Sequence, residues 1–173
     1  MTKIDDREKW TDVEEFPDYA VSSHGRVMNK HTELIKTPTP NQQGIPSVLL
    51  VRNRVQHRRA VPLLIAHHFL KPHKSPVFTS PINLDGDRFN NYWRNLEWRP
   101  RWFAMAYHHQ FREPIPFGFN AGVVCVETNT QFENVIDCAQ EYGLLIKDII
   151  HSTQTQIPVF PTWQTFAVVP NGS

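Results

Sequence analysis

One stretch, VFTSPINLDGDRFNNYWRNLEW from Val77 to Trp98, constrains this chain more than any other part of its 173 residues. It sets a tight turn at Asp85-Gly86-Asp87, an Asn90-Asn91 pair and an Asn95-Leu96-Glu97-Trp98 anchor close together. Gly, Asp and Asn at such intervals punctuate short segments and leave no room for a long helix. The 14 prolines of the chain point the same way, toward short elements and many turns.

No apolar run approaches the roughly 20 residues of a membrane span, and the polar, acidic start does not read as a signal peptide. The expected place of action is a cytoplasm. The length suits two small domains joined by a linker. The two cysteines, Cys125 and Cys138, lack the spacing of a zinc site and read as small buried hydrophobes.

The formal net charge is +1, but its distribution is uneven. Arg26 to Arg112 carries 14 Lys/Arg against 4 Asp/Glu, whereas the first 25 residues carry 3 against 7 and Phe119 to the end 1 against 5. A basic middle between acidic ends points to the middle as the surface for a nucleic acid.

The turn, the Asn pair and the Asn-Leu-Glu-Trp anchor together resemble the ββα-metal core of phage-type HNH homing endonucleases. Asp85, Gly86, Asn90, Asn91, Asn95 and Trp98 are the motif residues that carry the likeness. The resemblance puts Asn83 where that family has its general-base His, Ile82 where it has a preceding metal-ligand Asp or Asn, and Ala104 where a helix supplies the last ligand. Metal-assisted phosphodiester cleavage needs a hard cation on oxygen ligands and a base that titrates near neutrality. Ile82 and Ala104 have no ligand atom, and an Asn83 amide takes up no proton. The implied protein keeps the fold without its chemistry: no enzyme, no cofactor, and a divalent metal only if cleavage survives on relocated residues such as Asp85 or His108.

Residues 10 to 61 read as short strands, at Tyr19–Ser23, after His24-Gly25-Arg26 and at Val48–Val51. The run from Trp10 to Val27 is similar to the small N-terminal β module that precedes the HNH core in many phage homing endonucleases, and the likeness implies a basic surface at Arg26. Arg52, Arg54, Arg58 and Arg59 fall within eight residues. Alternation in Val51-Arg52-Asn53-Arg54-Val55 predicts Arg52 and Arg54 on one strand face, toward phosphates. Arg88 completes the DNA-binding candidates.

VPLLIAHHFL, Val61 to Leu70, predicts a helix with Pro62 in its first turn. The adjacent His67 and His68 point about 100° apart, so they do not form a metal clamp. A second helix is expected over Trp98–Phe111, closed by His108-His109, and Arg112–Asn120 reads as a linker. Beyond it come a strand at Val123–Val126, a hairpin turn at Glu127–Thr130, a helix at Val135–Tyr142 stopped by Gly143, a helix from Leu145 to His151 and a strand at Thr162–Phe166. This order resembles the helix-turn-helix repeat found C-terminal to HNH cores, but its second helix offers one Lys and one Asp in an acidic segment.

The expected fold class is α+β: an N-terminal β module over 1–60, a degenerate ββα-metal (HNH, or His-Me finger) core over 61–112, a linker over 113–120 and an α/β helix-turn-helix-like unit over 121–173. Three functions compete. One is a catalytically silent phage protein that binds DNA through the basic middle. Another is a phage structural or regulatory module that binds a viral or host protein. The third is an active metal-dependent HNH endonuclease with relocated residues. The expected site is the host cytoplasm, with no membrane partner; oligomeric state and virion association lie beyond the sequence.

Overall fold

A chain broken by so many turns must satisfy its backbone amides over short distances, and it does so in small antiparallel sheets. The computed structural model describes residues 7–112 and 119–169. Contacts divide the chain into two compact units, one made of residues up to Asn83 with Asp87–Arg101, the other of Leu84–Gly86 with the residues from Trp102 onward.

In the first unit, β1 (Trp10–Val13), β2 (Phe16–Ser22) and β3 (Val27–Asn29) form one sheet, and β4 (Thr39–Pro40), β5 (Pro46–Arg52) and β6 (Val55–Ala60) form another. Helix α1 (Val61–Phe69) follows, and β7 (Ser80–Asn83) pairs with β8 (Leu96–Arg99). Phe16, Tyr19, Val21 and Val27 meet Val48 and Leu50 of β5 and Val61, Leu64 and Ile65 of α1 in a single apolar core that also takes in Leu96 and Trp98. Tyr19 Oη accepts the Val51 amide at 3.1 Å, tying the two sheets together. Between β2 and β3 the Ser22 hydroxyl accepts the Arg26 amide at 3.1 Å. Gly25 turns there at φ +82°, a conformation that suits glycine, and a Cβ would meet Asn91 at 2.8 Å.

Trp98 lies in β8 and not at the head of a helix. Arg99 precedes Pro100, whose ring disfavours a helical conformation in the preceding residue, so the helix starts only at Arg101.

All of α2 (Arg101–Gln110) but its first residue belongs to the second unit. There β9 (Val123–Cys125) pairs with β10 (Gln131–Phe132) and with β11 (Phe166–Val168), and α3 (Val135–Tyr142) is joined by a three-residue turn to α4 (Ile146–Thr155). The Asn134 side chain accepts the Asp137 amide at 2.9 Å to cap α3, and Gly143 ends it in the left-handed region. Helix α4 has no side-chain cap of its own. Gln110 of α2 supplies one, its Oε1 accepting the Ile146 amide at 2.8 Å while its Nε2 donates to Leu144 O at 3.2 Å.

The last strand begins at Phe166, later than the sequence suggests, because Val159 and Gln164 close a tight turn over the preceding residues. The sequence boundary after Arg112 also differs from the observed division, which assigns the rest of α2 to the second unit, where Tyr107 donates to Leu84 O at 2.6 Å and to Ala139 O at 3.3 Å. The proposed linker falls largely on residues 113–118, outside the described residues.

Candidate functional site

In the first unit, the β7 strand ends on Ile82 and Asn83, both buried. Ile82 faces Glu97 across the β7–β8 ladder and Asn83 faces Leu96. Asn83 Nδ2 donates to Asn90 O at 2.9 Å and to the side-chain oxygen of Asn91 at 3.3 Å. Asn95 Nδ2 donates to the same Asn90 carbonyl at 2.8 Å, and Asn91 Nδ2 donates to Arg88 O and Phe89 O, each at 3.3 Å. The Asp87 carboxylate accepts the Phe89 amide at 2.9 Å, starting this loop. Four asparagines and an aspartate thus fold the segment after the turn by amide-to-carbonyl bonds, and Trp93 N donating to Ser23 O at 2.9 Å fastens it to the β2–β3 turn. Asn83 is a structural member of that network.

In the second unit, Gln140 Nε2 donates to Asp85 O at 3.1 Å, and Gly86 packs so closely on Phe111 that a Cβ would lie 2.6 Å from its ring. Ala104 is buried on α2, and His108, also buried, directs Nδ1 to Ala104 O at 2.9 Å. The two halves of the expected ββα motif therefore divide between units, with β7 and β8 in the first and nearly all of α2 in the second.

Among the described residues no three His, Cys, Asp or Glu side chains gather as a metal site. His68 directs Nδ1 to its own helix at Leu64 O, 2.7 Å away, and His67 tilts against Trp98 with ring centroids 5.2 Å apart. Cys125 and Cys138 are free and buried, and burial pushes the Cys138 thiol up to about 12.

The basic candidates separate into two groups. Arg26 is bound by Glu8, its Nε donating to Oε1 at 2.8 Å and its Nη2 to Oε2, and it lies over the Trp10 ring. The hydrogen bond from Arg26 holds the Glu8 carboxyl below its usual range. Arg59 reaches Glu15 at 3.5 Å and stacks 4.9 Å over Phe16. Arg88 Nη1 donates to Gln43 O at 3.1 Å, bracing the β4–β5 turn.

Arg52, Arg54 and Arg58 are exposed, and no carboxylate among the described residues pairs with them. The predicted alternation of Arg52 and Arg54 on one strand face is overturned. Asn53 and Arg54 are the two turn residues of the β5–β6 hairpin, with φ +52° and +66°, and Arg52 pairs with Val55 across them. Arg54 accordingly sits at the hairpin tip, in a backbone region where glycine is the usual choice.

The register decides which way the remaining arginines face. Val48 pairs with Arg59 and Leu50 with His57, so these share the buried face. Leu49 pairs with Arg58 and Val51 with Gln56, making an outer face where an exposed apolar pair stands beside a cation and an amide. Arg58 also lines an open groove of about 550 Å³ with Pro40, Asn41, Gln42 and Gln43. Gln42, Gln43 and Gln56 carry no local signal in the sequence, because only the β4–β5 turn and the pairing of β5 with β6 bring them to the side of Arg58.

Against this geometry stand the comparisons. Residues 8–50 match the family described as the NUMOD4 motif. A solved structure of the HNH homing endonuclease I-HmuI, described as binding and cleaving DNA, is 16% identical, covers 95% of this chain and 99% of its own, and superposes with a TM-score of 0.52. The chain thus has an α+β fold similar to that of an HNH endonuclease. No curated protein matches it. No helix among the described residues is long and apolar enough to cross a membrane.

Proposed function

We propose that this protein is a catalytically silent relative of HNH homing endonucleases that binds duplex DNA through the exposed arginines of the β5–β6 hairpin. The observation that carries the reading is a set of exposed arginines that no carboxylate among the described residues pairs with: Arg58 on the outer face beside Leu49, Val51 and Gln56, Arg54 at the hairpin tip, and Arg52 on the opposite face at the end of β5. Free guanidinium groups bind phosphates, and a two-stranded ribbon has the width to enter a major groove. The similar HNH homing endonuclease I-HmuI binds and cleaves DNA, which supports the first half of that activity for this chain.

The second half lacks its groups. A divalent metal of the kind that fold uses does not fit the donors aligned with its site, since Ile82 and Ala104 carry none. The base position holds Asn83, whose amide protons are committed to Asn90 and Asn91. No cleavage step is therefore assigned to this chain.

The test is a labelled duplex incubated with the protein at low salt in Mg²⁺ or Mn²⁺, with retention and nicking read from the same reaction. Retention without nicking is expected. Nicking that disappears in Asp85→Ala or His108→Ala would replace this reading with an active, relocated site.

A further inference from the structure

The groove at the β4–β5 turn holds hydrogen-bonding groups that phosphate binding leaves unused. Residues 41–45 close this turn on themselves. Asn41 Oδ1 accepts the Gln43 and Ile45 amides, each at 2.9 Å, and the Asn41 amide donates to Ile45 O at 2.9 Å. Gly44 takes the positive φ of +73° that closes the turn. From outside it, Arg88 Nη1 holds the Gln43 carbonyl at 3.1 Å. The Asn41 side chain is therefore committed to the turn. The Gln42 and Gln43 side chains are not: both residues are exposed, and neither carboxamide makes a hydrogen bond among the described residues.

Charge and shape indicate what these two amides face. Between Glu33 and Asp85 the chain has seven Lys/Arg and no Asp or Glu, and the groove lies wholly within that segment, with Arg58 in its wall. The groove is open, so it offers its groups to a broad surface and does not enclose a small molecule. Base edges in a major groove present paired donors and acceptors. A carboxamide carries one of each on a single planar group and matches adenine N7 and N6 together. Arg58 on a phosphate fixes the position of the protein but carries no sequence information, which leaves the reading of bases to the amides beside it. Because the turn is already closed, binding has only the two side chains to order.

We infer, resting on the duplex-binding reading above, that Gln42 and Gln43 read base edges and give this chain a preference for adenine at one or two positions of the bound duplex. The test is selection of duplexes from a randomised pool by the full chain at low salt. Competition titrations follow, with the selected duplex and its base-substituted versions. The wild type should enrich adenine at one or two positions, and replacing that base should weaken binding by about 5- to 100-fold. The double variant Gln42→Ala, Gln43→Ala should lose the preference and keep the salt slope. Neither side chain takes part in the bonds of the turn, so this variant keeps its fold. Gln42→Arg or Gln43→Arg should move the enriched base from adenine to guanine, a change that a merely structural role would not produce.

Duplex bound with the full salt slope but with all bases enriched equally would overturn this assignment and leave the duplex-binding reading standing. An adenine preference that survives in the double alanine variant would do the same. Absence of duplex retention by the wild type at low salt would overturn both.

Discussion

The salt dependence of duplex binding should distinguish arginines that meet phosphates from arginines that hold the fold. Five arginines in or beside the β sheets were candidates from sequence, namely Arg26, Arg52, Arg54, Arg58 and Arg59. Glu8 occupies the first, and Glu15 with the Phe16 ring occupies the last. Arg58 pairs with Leu49, three residues back along β5 from Arg52, so the two cations leave opposite faces of the ribbon about 10 Å apart along it and cannot share one phosphate. With Arg54 at the tip, the three remaining cations would neutralise about one phosphate each, giving a log-log salt slope near −2.7, or roughly a 40-fold loss of affinity between 50 and 200 mM salt. The assay is duplex binding across a salt series for the wild type and alanine variants. Arg52→Ala, Arg54→Ala and Arg58→Ala should each flatten the slope by about 0.9, and the triple variant should nearly abolish it. Arg59→Ala and Arg26→Ala should leave the slope in place. Equal flattening by Arg59→Ala and Arg58→Ala would refute the division by register, and a retained slope in the triple variant would exclude the sheet as the binding surface.

Three further outcomes follow from individual contacts. Gln110→Ala removes the cap that α2 lends to α4 and should lower stability by about 1 kcal/mol, read from denaturant unfolding; an unchanged midpoint would show that the Ile146 amide is satisfied without it. Tyr107→Phe should cost about 1 kcal/mol through the bonds to Leu84 O and Ala139 O, and a variant as stable as the wild type would remove Tyr107 as the link between the Asp85-Gly86 turn and α3. Glu8 has its carboxyl pKa lowered mainly by the hydrogen bond from Arg26, so the stability it contributes is present above its unfolded pKa and is lost as pH falls through the folded one. Glu8→Gln should therefore melt lower than the wild type near neutral pH and converge with it in acid; a constant gap would assign the effect to packing.

Much of the secondary structure was legible from local signals. Gly143 and the apolar spacing of Val135, Ile136 and Ala139 predicted α3 with its observed bounds, and Pro62 marked the start of α1. These features act over one or two turns of chain, so the sequence by itself determined them, together with the hairpin at Glu127–Thr130 and the likeness of the Asp85–Trp98 stretch to an HNH core. The start of α2 was misplaced because the effect of Pro100 on Arg99 competed with an apolar run that reads as continuous helix.

Only the tertiary structure decided what the polar residues do. Two arginines next to each other in sequence, Arg58 and Arg59, have opposite fates because a strand alternates its faces, and the register with β5 sends Arg59 to Phe16 and Arg58 to solvent. Arg52 and Arg54 look like one face until a two-residue turn separates them. Asn83 could be read from sequence as a lost base, but its role as a hub for the Asn90–Asn91 loop depends on atoms seven and eight residues away being folded back onto it. The sequence carried composition and periodicity, which are local; partners across sheets and loops are set by how the whole chain closes on itself.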